Sequence, residues 1–101
     1  AGYCTVHSSF LWDDMMDKAR QFLTIYENSS NYSERLLSLY NGLFLLLGER
    51  LYEEAEKCGV DKASFLDALK YVREDEEGGR TILDEENLDS LYNLLSSLLS
   101  A

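Results

Sequence analysis

The chain has 101 residues, 46% of them hydrophobic and 28% charged, with 19 Asp and Glu against nine Lys and Arg for a formal net charge of −10. That length holds one domain with one modest core, and that hydrophobic content excludes an intrinsically disordered chain. The acidic excess argues against direct binding to nucleic acid or to an anionic membrane surface, since both are engaged through Lys and Arg, and favours a basic protein partner, a cation or simple solubility.

There is no proline, and the six glycines mostly punctuate. Apolar residues recur at steps of three and four, with no sustained alternation, so the chain reads as all-α. Residues 1–8 read as a tail. The first helix is predicted over 10–27, with Ser8 or Ser9 as cap and Asp13 and Asp14 at its positive end. Its apolar stripe is Leu11, Met15, Ala19, Phe22 and Tyr26, widened by Trp12, Met16 and Leu23. The polar run "NSSNYS" breaks it. Ser33 then caps a second helix predicted over 34–57. This helix is apolar around most of its circumference from Leu36 to Leu47, the pattern of a central helix or of one that self-associates. Gly42 and Gly48 each cost about 1 kcal/mol of helix propensity, which points to close approach of a neighbouring helix, with a kink at Gly42 as the alternative. Gly59 closes the helix and Val60 supplies the accompanying apolar contact. Asp61 caps a third helix over 61–73, with Phe65, Leu66, Leu69 and Val72 on one face. A fourth is predicted over 83–99, with Thr81 and Asp84 resembling a capping box and Leu88, Leu91, Tyr92, Leu95, Leu98 and Leu99 facing the core. Short connections between four helices imply a single, mostly antiparallel four-helix bundle.

Cys4 and Cys58 read as free thiols in a reducing compartment. His7 is the only histidine, so a Cys/His zinc site is not expected. The longest apolar run, Leu43 to Leu47, is far below the ~20 residues of a membrane span. No basic region followed by an apolar core opens the chain, so no signal peptide is expected and the location is expected to be cytoplasmic or otherwise intracellular. Ala1 and Gly2 in place of an initiator methionine admit a cleavage scar or an excised domain.

The stretch "EDEEGGRTILDEE", Glu74 to Glu86, holds seven of the acids. From Asp75 it aligns with an EF-hand loop: Asp75, Glu77 and Thr81 at positions 1, 3 and 7, Ile82 at position 8 and Glu86 at position 12. It departs from that pattern where Gly79 offers no side-chain oxygen at position 5 and where Arg80 replaces the turn glycine. The second half reads better as a helix start. Glu74, Asp75, Glu76 and Glu77 remain, at a helix C-terminus where the dipole disfavours them, so helix stability does not explain them. No carboxylate pair, nucleophile–base set or phosphate loop is recognisable, and no enzyme activity, metal or cofactor is expected.

Two short stretches resemble known families. "ERLLSLYNGLFLLL", with Leu39, Tyr40, Asn41 and Gly42, resembles the leucine-rich helix of helical-bundle flagellar export chaperones, and Gly78, Gly79, Leu91 and Tyr92 follow in a similar order. That resemblance implies a bundle wrapping a helical segment of a secreted partner, although the family's tyrosine-bearing N-terminal arm has no counterpart here. "AEKCGVDKASFLDAL" resembles the helical C-terminal domain of β-hydroxyacid dehydrogenases, without the cofactor domain. The two imply incompatible proteins, and neither assigns a family.

The expectation is therefore a helical module that binds another protein through an apolar groove or an acidic face. Glu74, Asp75, Glu76 and Glu77 supply charge, and Tyr40, Tyr52 and Tyr71 supply anchors, tyrosine being enriched at interfaces because it buries area and keeps a polar tip. A homodimer through the second helix is a further expectation. The alternatives are an acidic inhibitor that occupies a nucleic-acid-binding or otherwise basic surface of its target and, third, a degenerate EF-hand-like cation binder.

Overall fold

A computed structural model describes the backbone of residues 2–74 and 82–100 and the side chains of residues 13–74 and 82–100. Within these residues the chain is an all-α bundle. Its elements are α1 (Gly2–Asn28), α2 (Tyr32–Leu47), a 3₁₀ turn (Gly48–Arg50), α3 (Leu51–Lys57), α4 (Lys62–Arg73) and α5 (Glu85–Ser100).

Helix α1 reaches back to Gly2, so residues 2–8 of the predicted tail are helical backbone. Residues 3–12 contain neither proline nor glycine and nothing there stops a helix; Ser8 and Ser9 lie inside it rather than at its cap. Helix α2 also begins earlier than predicted. Its cap is Asn31, whose side chain accepts from the Glu34 amide at 3.0 Å, and Ser33 falls in the first turn. Burial of Tyr32 accounts for the shift: its ring is 6% exposed and its hydroxyl donates to the Leu83 carbonyl at 2.6 Å, which draws residue 32 into the helix.

Helix α2 is central, as its all-round apolar character predicts. Leu36, Leu39 and Leu43 are fully buried, and their neighbours come from the same chain: α1 on one side, α5 on another, α4 at the C-terminal end. Gly42 marks the closest approach. A Cβ there would lie 2.8 Å from Leu95 Cδ2 and 3.6 Å from Phe22 Cβ, so the missing side chain lets α5 and α1 converge on α2. The contacts fix directions. Tyr32 meets Leu83, Arg35 meets Glu85 and Gly42 meets Leu95, so α5 runs parallel to α2. Tyr26 meets Asp89 while Phe22 lies by Leu95 at Gly42, so α5 is antiparallel to α1, as α2 is. The parallel pair is possible because the α3–α4 hairpin carries the chain back before α5 begins.

The helix predicted over 34–57 is two helices. Gly48 has φ +60°, a conformation costly for any residue with a Cβ, and α2 stops there. Nothing lies within 4 Å of a Cβ built on Gly48, so its role is this bend and not helix contact. Gly59 does close α3 as predicted. With φ +95° it donates to the Glu56 carbonyl, and Val60, 1% exposed, donates to Ala55, the paired bonds of a Schellman motif. Asp61 caps α4 through the Ser64 amide at 3.1 Å. On α4 the buried face is Phe65, Ala68, Leu69 and Val72, whereas Leu66 is 42% exposed. At α5 the capping box is reciprocal between Asp84 and Asn87, at 3.0 and 3.1 Å. The predicted partner Thr81 lies outside the described residues. Asn at the third helical position serves here in place of Glu or Gln.

Candidate functional site

Phe65 of α4, fully buried, organises the end of the molecule built by α2, α3 and α4. Tyr40 of α2 and Tyr52 of α3 both meet it edge-on, each with ring centroids 5.9 Å away and interplanar angles of 71° and 78°. In one continuous helix these tyrosines would stand about 18 Å apart along the axis and about 120° apart around it, too far to share one ring. The bend at Gly48 is therefore what assembles the cluster. Phe44, one turn beyond Tyr40 and 5.8 Å from it, extends the cluster outward and is 46% exposed.

Beside these aromatics opens a cleft of about 530 Å³ lined by Glu49, Arg50, Tyr52, Glu53, Glu56 and Lys62. Glu49, Glu53 and Glu56 are exposed, and none forms an ion pair with a described residue. Lys62 places its Nζ 5.1 Å from the centroid of the Tyr52 ring. Burial pushes the Tyr52 phenol above its ordinary pKa; its hydrogen bond with Tyr40, the Tyr40 charge and Glu49 push the same way, against Arg73. The phenol is thus protonated at neutral pH, a neutral polar tip on an aromatic surface.

Of the anchors predicted from sequence, the structure brings together Tyr40 and Tyr52. Both are half-buried, packed against the core at Phe65 with part of each side chain still exposed. Tyr71 is half-buried on α4 and makes no ring contact with a described residue. Glu74 is exposed at the C-cap of α4, its amide donating to the Lys70 carbonyl. It follows Arg73, whose charge reaches Tyr52. Asp75, Glu76 and Glu77 lie outside the described residues, as does most of the loop that aligns with an EF-hand. Sequence reasoning overlooked Phe44 and Lys62. Phe44 sits in an unbroken apolar run, where nothing distinguishes the one side chain that ends up outside.

A second polar cluster ties α1, α2 and α5 together. Arg35, whose side chain is 19% exposed, donates to Glu85 at 2.7 Å and to the Tyr26 hydroxyl at 2.9 Å, and lies over the Tyr26 ring at 4.6 Å. Tyr26 stacks on Tyr92 at 5.1 Å and donates to Asp89 at 3.4 Å, while Tyr92 donates to Glu27 at 3.2 Å. Its polar groups pair with one another across three helices, so its role is to fix helix register.

A second open cleft of about 370 Å³ is lined by Cys58, Ser90, Asn93, Leu94 and Ser97. Cys58 is an exposed free thiol with no acid, base or cation lining the cleft beside it. Among the described residues no group of three His, Cys, Asp or Glu is placed to hold a metal ion, and no helix is long and apolar enough to cross a membrane.

No family model matches this chain, and neither a curated protein nor a solved structure matches it.

Proposed function

We propose that the chain is a non-enzymatic protein-interaction module, adaptor-like, chaperone-like or regulatory, whose docking surface is the aromatic and acidic end of α2, α3 and α4. The observation that carries this reading is Phe44. A phenylalanine 46% exposed, on a helix whose other large apolar side chains are buried or half-buried, beside the half-buried Tyr40 and close to Tyr52, is apolar area left outside the core. Aromatic side chains of this kind dominate binding energy when a partner covers them. Glu49, Glu53 and Glu56 rim the surface, so the complementary partner is a basic amphipathic helix with apolar residues on Phe44 and Tyr40 and Lys or Arg toward the glutamates. Glu74, with Asp75, Glu76 and Glu77 after it in sequence, belongs to the same proposal as a source of attracting charge.

The test is fluorescence anisotropy with a synthetic amphipathic Leu/Lys helical peptide. Phe44→Ser is expected to weaken binding about tenfold or more, while Asp67→Asn on exposed α4 surface leaves it unchanged. Equal affinity across wild type and both variants would refute the proposal. The acidic-inhibitor alternative predicts a different result: binding that collapses with salt and ignores Phe44→Ser. Self-association through Phe44 would appear as a dimer in light scattering that Phe44→Ser abolishes.

A further inference from the structure

The cleft beside α3 has a more specific chemistry than an acidic surface. Tyr52 lines it, and the ring already holds an ammonium group, the Nζ of Lys62 at 5.1 Å from its centroid. Lys62 makes no ion pair with any described residue, although three glutamates line the same cleft. The cleft therefore presents an aromatic ring, three carboxylates that make no ion pair with a described residue and about 530 Å³ of open space, with Arg50 as its one other cation besides Lys62 among the lining residues. Those are the elements that recognise a basic side chain: the ring quadrupole attracts a cation over its face, and carboxylates take its N–H groups. Arginine suits it best, since a planar guanidinium stacks on the ring while its edge donates to two carboxylates at once.

We infer that this cleft receives an arginine side chain of the protein partner, and that Lys62 is an intramolecular placeholder that the arginine displaces. The inference rests on the docking surface proposed above and assigns one residue of the partner. In the free protein the Lys62 ammonium occupies the Tyr52 face and keeps it covered. On binding, the guanidinium takes that position and Lys62 swings to solvent, so partner affinity is lowered by the strength of the Lys62 contact. An exposed cation–π contact of this kind corresponds to about a two- to fivefold change in affinity.

The experiment uses the full chain, labelled with ¹⁵N, titrated with N-acetyl-arginine methylamide and with its neutral isostere N-acetyl-citrulline methylamide. The expected result is saturable shifts of the Tyr52, Glu53 and Lys62 amides with the arginine compound only. Lys62→Met is expected to tighten that binding about two- to fivefold, whereas Lys70→Met, which removes an equal charge from exposed α4 surface, leaves it unchanged. Tyr52→Phe, which keeps the ring and the Phe65 contact, retains binding. Equal shifts with citrulline, no saturable shift, or equal effects of Lys62→Met and Lys70→Met would overturn the inference. The two proposals fail separately. If the Leu/Lys peptide still depends on Phe44 while the arginine compound is ignored, the docking surface stands and the arginine cleft does not.

Discussion

Gly42→Ala tests the packing that holds α2, α5 and α1 together. Alanine in a helix interior gains about 1 kcal/mol over glycine. Here the new methyl would sit 2.8 Å from Leu95 Cδ2, inside normal contact distance, so the tip of the fully buried Leu95 must shift within the core. Overpacking of this kind costs about 1–3 kcal/mol. The net effect is a loss of about 1 kcal/mol, which lowers Tm by roughly 4–8 °C in a domain of this size. A double-mutant cycle separates the two contributions. Leu95→Ala alone removes a buried side chain and costs about 2–5 kcal/mol. On that background the clash is gone, so Gly42→Ala changes sign and stabilises by up to ~1 kcal/mol, a coupling of about 2 kcal/mol. Urea unfolding followed by circular dichroism measures all four proteins. If Gly42→Ala stabilises both backgrounds equally, α5 does not lie against Gly42 and the bundle arrangement is refuted.

Arg35→Lys is expected to destabilise by about 1–2 kcal/mol, close to Arg35→Gln, because an ammonium cannot bond Glu85 and the Tyr26 hydroxyl in the same planar fork; full rescue by Lys in urea unfolding would contradict this. Asp61 is held below its ordinary pKa by the Ser64 amide and hydroxyl, so the folded state binds fewer protons than the unfolded one. Its contribution is present above the unfolded carboxylate pKa and is lost as pH falls through the depressed folded value. Asp61→Asn should therefore flatten that part of the acid stability profile, and an unchanged profile would show that the cap carries no such linkage. Burial raises the Tyr26 and Tyr52 phenols. Their contributions are present below the unfolded tyrosine pKa and are lost as pH rises through the higher folded values. Ultraviolet difference titration should show both ionising later than exposed tyrosine, and Tyr52→Phe should remove one late step; a titration indistinguishable from free tyrosine would exclude the buried placement.

What the sequence made legible was the part written in periodicity and punctuation. The all-round apolar character of Leu36–Leu47 identified the central helix, and Gly59–Val60–Asp61 announced a helix end and a new start in three residues. Gly42 was read correctly as a close approach, because a glycine amid strong helix formers needs a packing reason. Gly48 carried the same signal and has the other meaning: its positive φ follows from how α3 and α4 fold back, which no local pattern encodes. The candidate site was half legible for the same reason. Tyr40 and Tyr52 stood out as tyrosines, but their meeting over Phe65 depends on the bend at Gly48. Phe44 was hidden among the leucines on either side of it, and Leu66 was assigned to the core where Ala68 is buried instead. The α5 cap shifted to Asp84 because Asn87 can return the hydrogen bond.

The most direct test of the docking surface places a photocrosslinking amino acid, p-benzoylphenylalanine, at position 44, at position 49 and at the exposed control position 97, and crosslinks the full chain in its source cell. Capture of one and the same basic protein from positions 44 and 49, and not from 97, is the predicted result. Capture from 97 but not from 44 or 49, or the same products from all three positions, would contradict it.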